Sequence, residues 1–572
     1  MTAQALSSPP DSLAQRARDL SLTLTGWPSV TGTPDEAAFS RRLASLLRQT
    51  PYFAKNPDHL AVAPIPDDPL GRSNVFALVR GEGSQTVILS GHFDTVPIED
   101  YGALRDWAGS PEALLPALIA TLEESGADPQ ALADFRSGQF LPGRGLLDMK
   151  AGVAAGIAVL EAFAADPSRS GNLLLIATPD EEDRSAGMRA AADMLPQWLA
   201  ERGLEAKLDI NLDAICDEGQ GETGRVVAFG CIGKLLLSAL VVGLESHAAY
   251  PLAGVNAAYL AAELTSEMEF APELGEDAGG ELAAPPTVLG SRDLKSQYNV
   301  TLPGAVWTYW NVMLHRRTAA EVLETGKELV RRAMTRAAAR MAERVVKLQV
   351  PVAQTPAWIG IPVLTFAELR ETARRRSPDF EERFAARADA LREQADLDFP
   401  TRSRHLMEET WRASGLQGPA VVLGFGSMPY PPVPWPESAD RLRGLIAEAM
   451  TGTELATGVS IGAIEYFPAI ADMSFIGPVD ESDLAEAARQ TPIWGSSIRW
   501  DLSRGATPGI PIVNIGPWGR DYHHWLERVH APYAFDVLPI LIQNVARHVL
   551  APVRPVPGEV DQDDVTDLYA DD

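Results

Sequence analysis

Short apolar segments alternate with amphipathic ones over the first 215 residues, and this alternation constrains the fold more than any other feature. The apolar segments SNVFALVR (73–80), QTVILSGH (85–92) and NLLLIAT (172–178) have the length of strands, and 150–164 and 185–201 have helical patterns. Buried strands separated by amphipathic helices are typical of a parallel sheet covered on both faces. The sequence therefore predicts an α/β fold with a doubly wound, mostly parallel sheet.

The pattern changes from about residue 235. Two strand-like segments, at 235–246 and 305–314, flank a stretch rich in Gly, Pro and acidic residues, and a long helix follows at 319–346. Strands and helices alternate again after Pro351. We therefore predict that a smaller α+β domain is inserted into the larger one. The predicted parts are 1–234 and 351–556 for the larger domain, 235–350 for the insertion, and 557–572 for an acidic, disordered tail.

Composition narrows the possible functions. A formal charge of −28 argues against nucleic-acid binding, which needs concentrated Lys and Arg. No run of about 20 apolar residues indicates a membrane span, and the N-terminus lacks the pattern of a secretory signal. The two cysteines, Cys216 and Cys231, form no CxxC pair. We therefore expect a cytoplasmic protein without a nucleic-acid or membrane partner.

Histidine and acidic residues follow the predicted strands. In doubly wound sheets, ligands bind beyond the carboxyl ends of the strands. Imidazole and carboxylate groups suit divalent metal ions, and two such ions need a bridging carboxylate and a water between them. The residues at these positions are His92, Asp94, Asp148, Glu181, Glu182, Asp213 and His523. The sequence therefore predicts a metal site at one edge of the sheet.

His92 and Asp94 form a pair within this set. Residues two apart on a strand share a face, so Asp94 is placed to accept a hydrogen bond from the ring nitrogen of His92 that does not bind metal. Two positions have competitors nearby: Asp209 and Asp217 for Asp213, and His524 for His523.

These segments resemble the metallopeptidases that include aminoacylase, glutamate carboxypeptidase, peptidase T, dipeptidase V and succinyl-diaminopimelate desuccinylase. The matching stretches are SVTGT (29–33), SGHFDTVP (90–97), GRGLLDMKAG (143–152), ATPDEEDRSAG (177–187), ESHAAYPLAGVNAA (245–258) and HHWLE (523–527). The resemblance implies a zinc aminopeptidase-like catalytic domain, and an inserted domain that serves as a lid and dimerises. A closer resemblance, to the bacterial arginine-utilisation proteins of this group, rests on MPYPPVPW (428–435), YFPAIADMSFIG (466–477) and NIGPWGRDYHHWLERVHAPYAF (514–535).

The resemblance also implies a role for each ligand. Two divalent ions are expected, Zn²⁺ first, with Co²⁺ or Mn²⁺ as alternatives. His92 and Asp213 would bind one ion, Glu182 and His523 would bind the other, and Asp148 would bridge them. The spacing of His and Glu four residues apart selects His523, with Glu527 as its partner.

Three further roles follow from the same resemblance. Asp94 would orient His92. Glu181 would be the general base that takes a proton from the water between the metals and passes it to the leaving amine. His247, on the inserted domain, would donate a hydrogen bond to the oxyanion, in many relatives across a dimer interface.

The substrate side departs from the family pattern. Many relatives carry an arginine on the inserted domain, in a strand reading like D-x-R, whereas the stretch here is TYWNVMLHRRT. Asn311 in that strand and Asp472 are the candidates for substrate binding. We predict a metal-dependent hydrolase of a linear amide bond in an N-acyl amino acid or short peptide, with an arginine-related substrate by subgroup resemblance. The alternatives are a dipeptidase or carboxypeptidase of the same family, and an inactive metal-binding regulatory protein. A homodimer through the inserted domain is also expected.

Overall fold

The structure is a computed structural model that describes residues 12–349, 358, 360–498, 500, 502 and 507–552. The predicted tail, 557–572, and the predicted boundary at 350 and 351 lie outside the described residues. The helices are α1 (Leu13–Thr25), α2 (Pro34–Arg48), α3 (Pro51–Lys55), α4 (Pro111–Ser125), α5 (Pro129–Ser137), α6 (Ala151–Ala165), α7 (Ala186–Ala200), α8 (Ala257–Met268), α9 (Ala319–Lys347), α10 (Phe366–Arg376), α11 (Phe380–Arg392), α12 (Phe399–Ser414), α13 (Asp440–Thr457), α14 (Glu481–Arg489) and α15 (Leu538–Leu550).

The strands form two main sheets and several small ones. They are β1 (Leu60–Pro64), β2 (Ser73–Arg80), β3 (Glu82–His92), β4 (Phe140–Pro142), β5 (Ser170–Thr178), β6 (Glu205–Asn211), β7 (Ile215–Cys216), β8 (Val226–Ala228), β9 (Gly230–Cys231), β10 (Gly233–Val242), β11 (Asp277–Ala278), β12 (Glu281–Leu282), β13 (Thr287–Asp293), β14 (Ala305–Leu314), β15 (Val363–Thr365), β16 (Ala420–Phe425), β17 (Val433–Pro434), β18 (Gly462–Ile464), β19 (Ile512–Asn514), β20 (Trp518–Arg520) and β21 (Arg528–His530).

The larger sheet has eight strands in the order β1-β2-β5-β3-β6-β19-β8-β18. Its central strands β5, β3, β6 and β19 are parallel, and β1 and β2 extend it in antiparallel fashion. Leu173 and Leu175 of β5 pack into a core with α1, α6 and α15, whereas Leu174 and Ile176 pack into a second core with α7. Because both faces are covered, the strand is apolar at consecutive positions. The predicted α/β fold with a mostly parallel sheet is confirmed.

The smaller sheet has five strands in the order β13-β14-β10-β16-β15. Helices α8 and α9 cover one of its faces. Strands β15 and β16 follow residue 351, in the part predicted to belong to the larger domain, yet β16 pairs with β10 in the smaller sheet. The predicted boundary therefore does not coincide with the change of sheet. Strand patterns had resumed after Pro351, but apolar periodicity does not reveal which sheet a strand joins.

The segment between Asp94 and Asp148 contains the two helices α4 and α5. Leu114, Leu118 and Leu122 are four residues apart on α4, and they are buried in a small core with Phe135 of α5 and with Leu526. Their spacing places them on one face of the helix. No helix in the described part of the chain is both long and apolar enough to span a bilayer.

Candidate metal centre

The predicted donors come together because their strands are neighbours. His92 ends β3, Glu181 and Glu182 lie in the turn after β5, and Asp213 follows β6. Since β5, β3 and β6 are adjacent and parallel, these side chains share one edge of the sheet. His523 reaches the same place from the turn between β20 and β21, in a separate four-stranded sheet.

Asp148 lies between two imidazoles. Its Oδ1 is 3.1 Å from Nε2 of His92, and its Oδ2 is 3.3 Å from Nε2 of His523. The same nitrogen of His523 is 3.1 Å from Oε2 of Glu182. Donor atoms of His92, Asp148 and Glu182 all lie within 4.8 Å of one another. The carboxylate of Asp148 thus offers one oxygen to each of two histidines.

Asp94 organises the other side of His92. Its Oδ1 is 3.5 Å from Nδ1 of His92, and the carboxylate accepts hydrogen bonds from the hydroxyl of Thr31 (2.8 Å) and from the backbone N–H groups of Glu181 (3.1 Å) and Glu182 (3.2 Å). A single buried carboxylate therefore fixes both the imidazole and the acidic turn.

The base candidate Glu181 is close to the same imidazole. Its Oε2 lies 3.8 Å from Nε2 of His92. Glu182, the next residue, contacts His523 instead. The two adjacent glutamates therefore face different histidines.

Asp213 and its competitors have different surroundings. Asp213 is buried and accepts a hydrogen bond from the N–H of Ala214 (2.7 Å), and burial together with the charge of Asp148 raises its pKa to about 8. Asp217 instead accepts three backbone hydrogen bonds from 219–224 and stabilises that turn. Burial raises the pKa of Asp209, within β6, to about 7, and Asp472 adds to that shift. The charges of Asp148, His92 and Glu182 all act on the pKa of Asp213. Asp213 therefore lies within the electrostatic field of the cluster.

His523 and His524 also differ. Nε2 of His523 contacts both Asp148 and Glu182, whereas Nδ1 of His524 accepts a weak hydrogen bond from the N–H of Leu526 at 3.4 Å. His523 has a φ of +63°, a left-handed conformation that is uncommon for residues other than glycine.

Among the described residues, the side chain of Glu527 makes no hydrogen bond or ion pair with His523, and it supports the Asp148 loop instead. It accepts a hydrogen bond from the N–H of Leu147 at 3.2 Å and pairs with Nη1 of Arg144 at 3.0 Å. Burial raises its pKa to about 8, against the effect of Arg144. Arg144 stands in the matched stretch GRGLLDMKAG, but its role was not predicted from the sequence.

The electrostatics of the cluster indicate a need for positive charge. Burial raises the pKa of Glu181 well above its usual value and raises that of Glu182 as well. Although burial opposes it, contact with carboxylates raises the pKa of His523 to about 10. Carboxylates crowded at a buried site keep their charge when a cation is bound among them. Two imidazoles and several carboxylates are also a donor set that suits zinc and similar ions.

The remaining predicted residues lie in different places. Asp472 is buried and accepts a hydrogen bond from the hydroxyl of Thr178 at 3.1 Å, and burial raises its pKa to about 6. Asn311 lies on β14 of the smaller sheet. His247 is exposed, and its contacts in the described part of the chain are local ones, to Ala249, Tyr250 and Thr301. The structure therefore does not bring His247 to the cluster of its own chain.

A buried arginine, which the sequence analysis missed, stabilises the acidic turn. Arg72 contacts Asp180, Glu36 and Asp68, and Asp180 has a φ of +71° at the start of the turn. The N–H of Ala186 donates to Asp180 at 3.1 Å. Asp180, the first acid of the triplet, therefore shapes the turn that carries Glu181 and Glu182.

The chain is similar to a protein family and to several known proteins. Residues 88–486 match the model of peptidase family M20/M25/M40. The chain is 32% identical over 553 residues to protein RocB of Bacillus subtilis (strain 168), covering 95% of this chain and 96% of that protein. It is 31% identical over 310 residues to succinyl-diaminopimelate desuccinylase of Stenotrophomonas maltophilia (strain R551-3), covering 54% of this chain and 70% of that protein. A tripeptidase structure from Staphylococcus aureus aligns with a TM-score of 0.49 at 16% identity, covering 94% of this chain and 99% of that one.

Proposed function

The chain belongs to peptidase family M20/M25/M40 and is a metallopeptidase or amidohydrolase, and from this premise we propose that it hydrolyses a linear amide bond of an N-acyl amino acid or short peptide. The observation that carries the proposal is the position of Asp148 between the imidazoles of His92 and His523, with the carboxylate of Glu181 3.8 Å from Nε2 of His92.

The proposed ligands divide into two sets. His92 and Asp213 would hold one divalent ion, Glu182 and His523 would hold the other, and Asp148 would contribute to both. Imidazole and carboxylate donors favour Zn²⁺, with Co²⁺ and Mn²⁺ as alternatives. When bound, such ions polarise the amide carbonyl and lower the pKa of a bound water.

Glu181 acts as the general base. Its carboxylate takes a proton from the attacking water and passes it to the amine that leaves, so that one residue serves both halves of the reaction. Asp94 keeps this residue in place, because it accepts a hydrogen bond from the N–H of Glu181 and also lies beside the imidazole of His92.

An arginine-related substrate is the specific form of this proposal. It is supported by the sequence resemblance to arginine-utilisation proteins and by the similarity to protein RocB along 95% of the chain. A panel of N-acyl-L-arginine compounds, other N-acyl amino acids and dipeptides covers both this substrate class and the dipeptidase alternative.

We also propose that two copies associate through the inserted domain. Strand β13 is an edge of the five-stranded sheet, and edge strands present unpaired N–H and C=O groups that can pair with another chain. Leu289 on this strand is 57% exposed, and Tyr298 and Val300 in the following loop are 90% and 50% exposed. Exposed apolar surface of this kind marks association sites.

The same association gives His247 its proposed role. The N–H of Ala248 donates to the carbonyl of Val300 at 3.0 Å, so the loop that carries His247 lies beside the exposed apolar loop. A second copy bound there would cover His247. We propose that His247 donates a hydrogen bond to the oxyanion in the site of the partner rather than in its own.

Metal depletion tests the proposed function. Protein loaded with zinc should hydrolyse at least one member of the panel, chelated protein should not, and added zinc should restore the rate. A wild-type protein that binds two zinc ions and hydrolyses nothing across the panel would contradict the proposal and favour a binding role.

A further inference from the structure

A cavity of about 840 Å³ lies among helices α1, α2, α3 and α6 of the larger domain. Arg169, which lines it, directly precedes β5, whereas Glu181 and Glu182 follow the other end of that strand. The cavity therefore lies at the opposite end of the sheet from the metal centre. Cavities of about 300–1,000 Å³ with mostly apolar walls commonly bind small molecules.

Small side chains on α6 leave this space open. Ala158, Ala162 and Ala165 are four and three residues apart, so they share one face of the helix. Leu13 of α1 and Leu46 of α2 add larger apolar surfaces to the walls. An apolar group of a ligand would therefore be in contact with three different helices.

Tyr52 of α3 forms a fixed part of the wall. Its hydroxyl accepts a hydrogen bond from the N–H of Arg80 at 2.8 Å and lies 2.9 Å from Nδ1 of His59. The guanidinium of Arg169 lies 5.7 Å from the centre of its ring. Because both the hydroxyl and the ring have partners within the protein, this wall is formed before any ligand binds.

The charged side chains that line the cavity are mostly cationic. Arg16, Lys55 and Arg169 face one acid, Glu161, among the described lining residues. Glu161 is already paired, since it accepts two hydrogen bonds from the guanidinium of Arg16 at 2.7 and 2.8 Å. Arg169 donates to backbone carbonyls at 2.7 and 2.8 Å. Neither Arg169 nor Lys55 forms an ion pair with a carboxylate that the structure describes.

We propose that this cavity binds an amphipathic anion, a small carboxylic acid whose apolar group lies against α6 and whose carboxylate pairs with Lys55. Arg169 adds positive charge beside it. The charge of the lining favours an anion even though the whole chain carries a formal charge of −28. The inference does not depend on the proposed function, because no lining residue belongs to the metal centre.

A pair of matched probes tests the inference. Octanoate and octanamide have the same apolar chain and differ in charge, and both are titrated by calorimetry into zinc-loaded protein. Ala162→Phe fills the cavity, with Ala390→Phe at an exposed position of α11 as its control. Lys55→Met removes the cation, with Lys207→Met as its control because Lys207 pairs with Glu205 at the surface.

We expect wild type and both controls to bind octanoate roughly tenfold more tightly than octanamide, the lower end of the range for charged hydrogen bonds, because Lys55 is exposed. Ala162→Phe should weaken both probes at least about tenfold. Lys55→Met should bring the ratio of the two affinities close to one. Since Lys55 is exposed, this variant tests the inference without a change in the packing of α6.

Three results would overturn the inference. They are a wild type that binds neither probe, an affinity for octanoate that Ala162→Phe leaves unchanged, and a preference for octanoate that persists in Lys55→Met. Binding should also remain after zinc is removed by chelation, because the cavity is remote from the metal centre. Loss of octanoate binding on chelation would place its carboxylate on the metal and contradict the inference.

Discussion

Asp148, like Asp94, differs from Glu181, Glu182 and Asp213 in the direction of its pKa shift. Although burial alone would raise it, hydrogen bonds to His523 and His92 hold the pKa of Asp148 well below its usual range. The pKa values of Glu181, Glu182 and Asp213 are raised instead, with burial as the first cause. The histidines thus stabilise Asp148 in its charged form, whereas Glu181, Glu182 and Asp213 require additional positive charge.

Replacing Glu182 should remove metal rather than turnover alone. Glu182→Gln keeps the size of the side chain but loses the charge that contacts His523, so the affinity for one of the two zinc ions should fall at least about tenfold. Zinc content measured after dialysis against a metal buffer checks this. Asp183→Asn is the matched control, since Asp183 lies in the same turn and pairs with Arg184 at the surface; equal zinc content in both variants would contradict the ligand role.

At the scale of elements, α5 is joined to the strands around His523 by a buried ion cluster. Asp134 of α5 accepts from Nη1 of Arg520 at 2.5 Å and from Nε of Arg528 at 2.8 Å, and all three residues are buried. Without Asp134, Arg520 would be buried with no carboxylate partner among the described residues, and Arg528 would keep only Asp521. The cluster therefore fixes β20 and β21, between which His523 lies.

Asp134→Ala should lower the free energy of unfolding by about 3–5 kcal/mol, because two arginines would remain buried without their shared partner. Denaturant unfolding monitored by circular dichroism measures this. Glu123→Ala serves as the comparison: Glu123 pairs with Arg136 at the surface, where an ion pair contributes about 0–1 kcal/mol. Similar losses in the two variants would argue against the structural role of the cluster.

His530 of β21 should make stability depend on pH. Burial, with the charges of Arg225 and Arg520, lowers its pKa from 6.5 to about 4 despite the opposing charge of Asp134. Between pH 6.5 and pH 4 the unfolded chain therefore binds a proton at His530 more tightly than the folded chain does. The stability that the neutral, folded imidazole contributes is complete above pH 6.5 and is lost as the pH falls towards 4. The loss of unfolding free energy per pH unit should stay below the full linkage value of about 1.4 kcal/mol, because the ring is only partly buried.

The variant His530→Gln lacks this titration. Whatever it loses at pH 7 through the missing contact with Trp518, its difference in unfolding free energy from wild type should shrink between pH 7 and pH 5. Urea titrations of both proteins at the two pH values measure the difference. A constant difference would show that His530 has the same pKa in the folded and unfolded chains.

Elements and site were predictable from the sequence to different degrees. The shared edge of His92, Glu181 and Asp213 could be anticipated because each follows an apolar strand, and parallel strands end together. The sheet that β16 joins could not be anticipated, because the apolar pattern of this strand suits either sheet. The helices between Asp94 and Asp148 were missed, although the spacing of Leu114, Leu118 and Leu122 is a helical signal.

Contacts between distant segments were the hardest to anticipate. Lys234 and Tyr430 are far apart in the chain and meet only because the two segments that join the sheets run side by side. The same holds for Arg144 and Glu527. Each contact joins two segments that are far apart in the chain, so the residue pattern of either segment alone does not reveal it.

At the scale of the whole molecule, the edge strand of the smaller sheet is exposed, whereas the centre of the same sheet is buried. Strand β13 has intermediate or exposed side chains at every position, whereas β10 at the centre of the same sheet is buried along nearly its full length. A sheet edge of this kind favours pairing with a second copy.

Leu289→Lys should convert a dimer into a monomer. A lysine on an edge strand disfavours pairing, because its charge would be buried in the interface. Light scattering coupled to size-exclusion chromatography measures the mass. Leu455→Lys is the control, since Leu455 is 84% exposed on α13 of the larger domain, and it should remain a dimer. A wild-type protein that is monomeric at all concentrations would contradict the proposed association.

The central claim, that Glu181 is the base of a two-metal amide hydrolase, is tested most directly by measuring turnover and zinc content together in Glu181→Gln. We predict that this variant retains two zinc ions per chain while kcat falls by about 10²–10⁴ on whichever substrate the wild type hydrolyses fastest. Two bound zinc ions with unchanged kcat would contradict the claim.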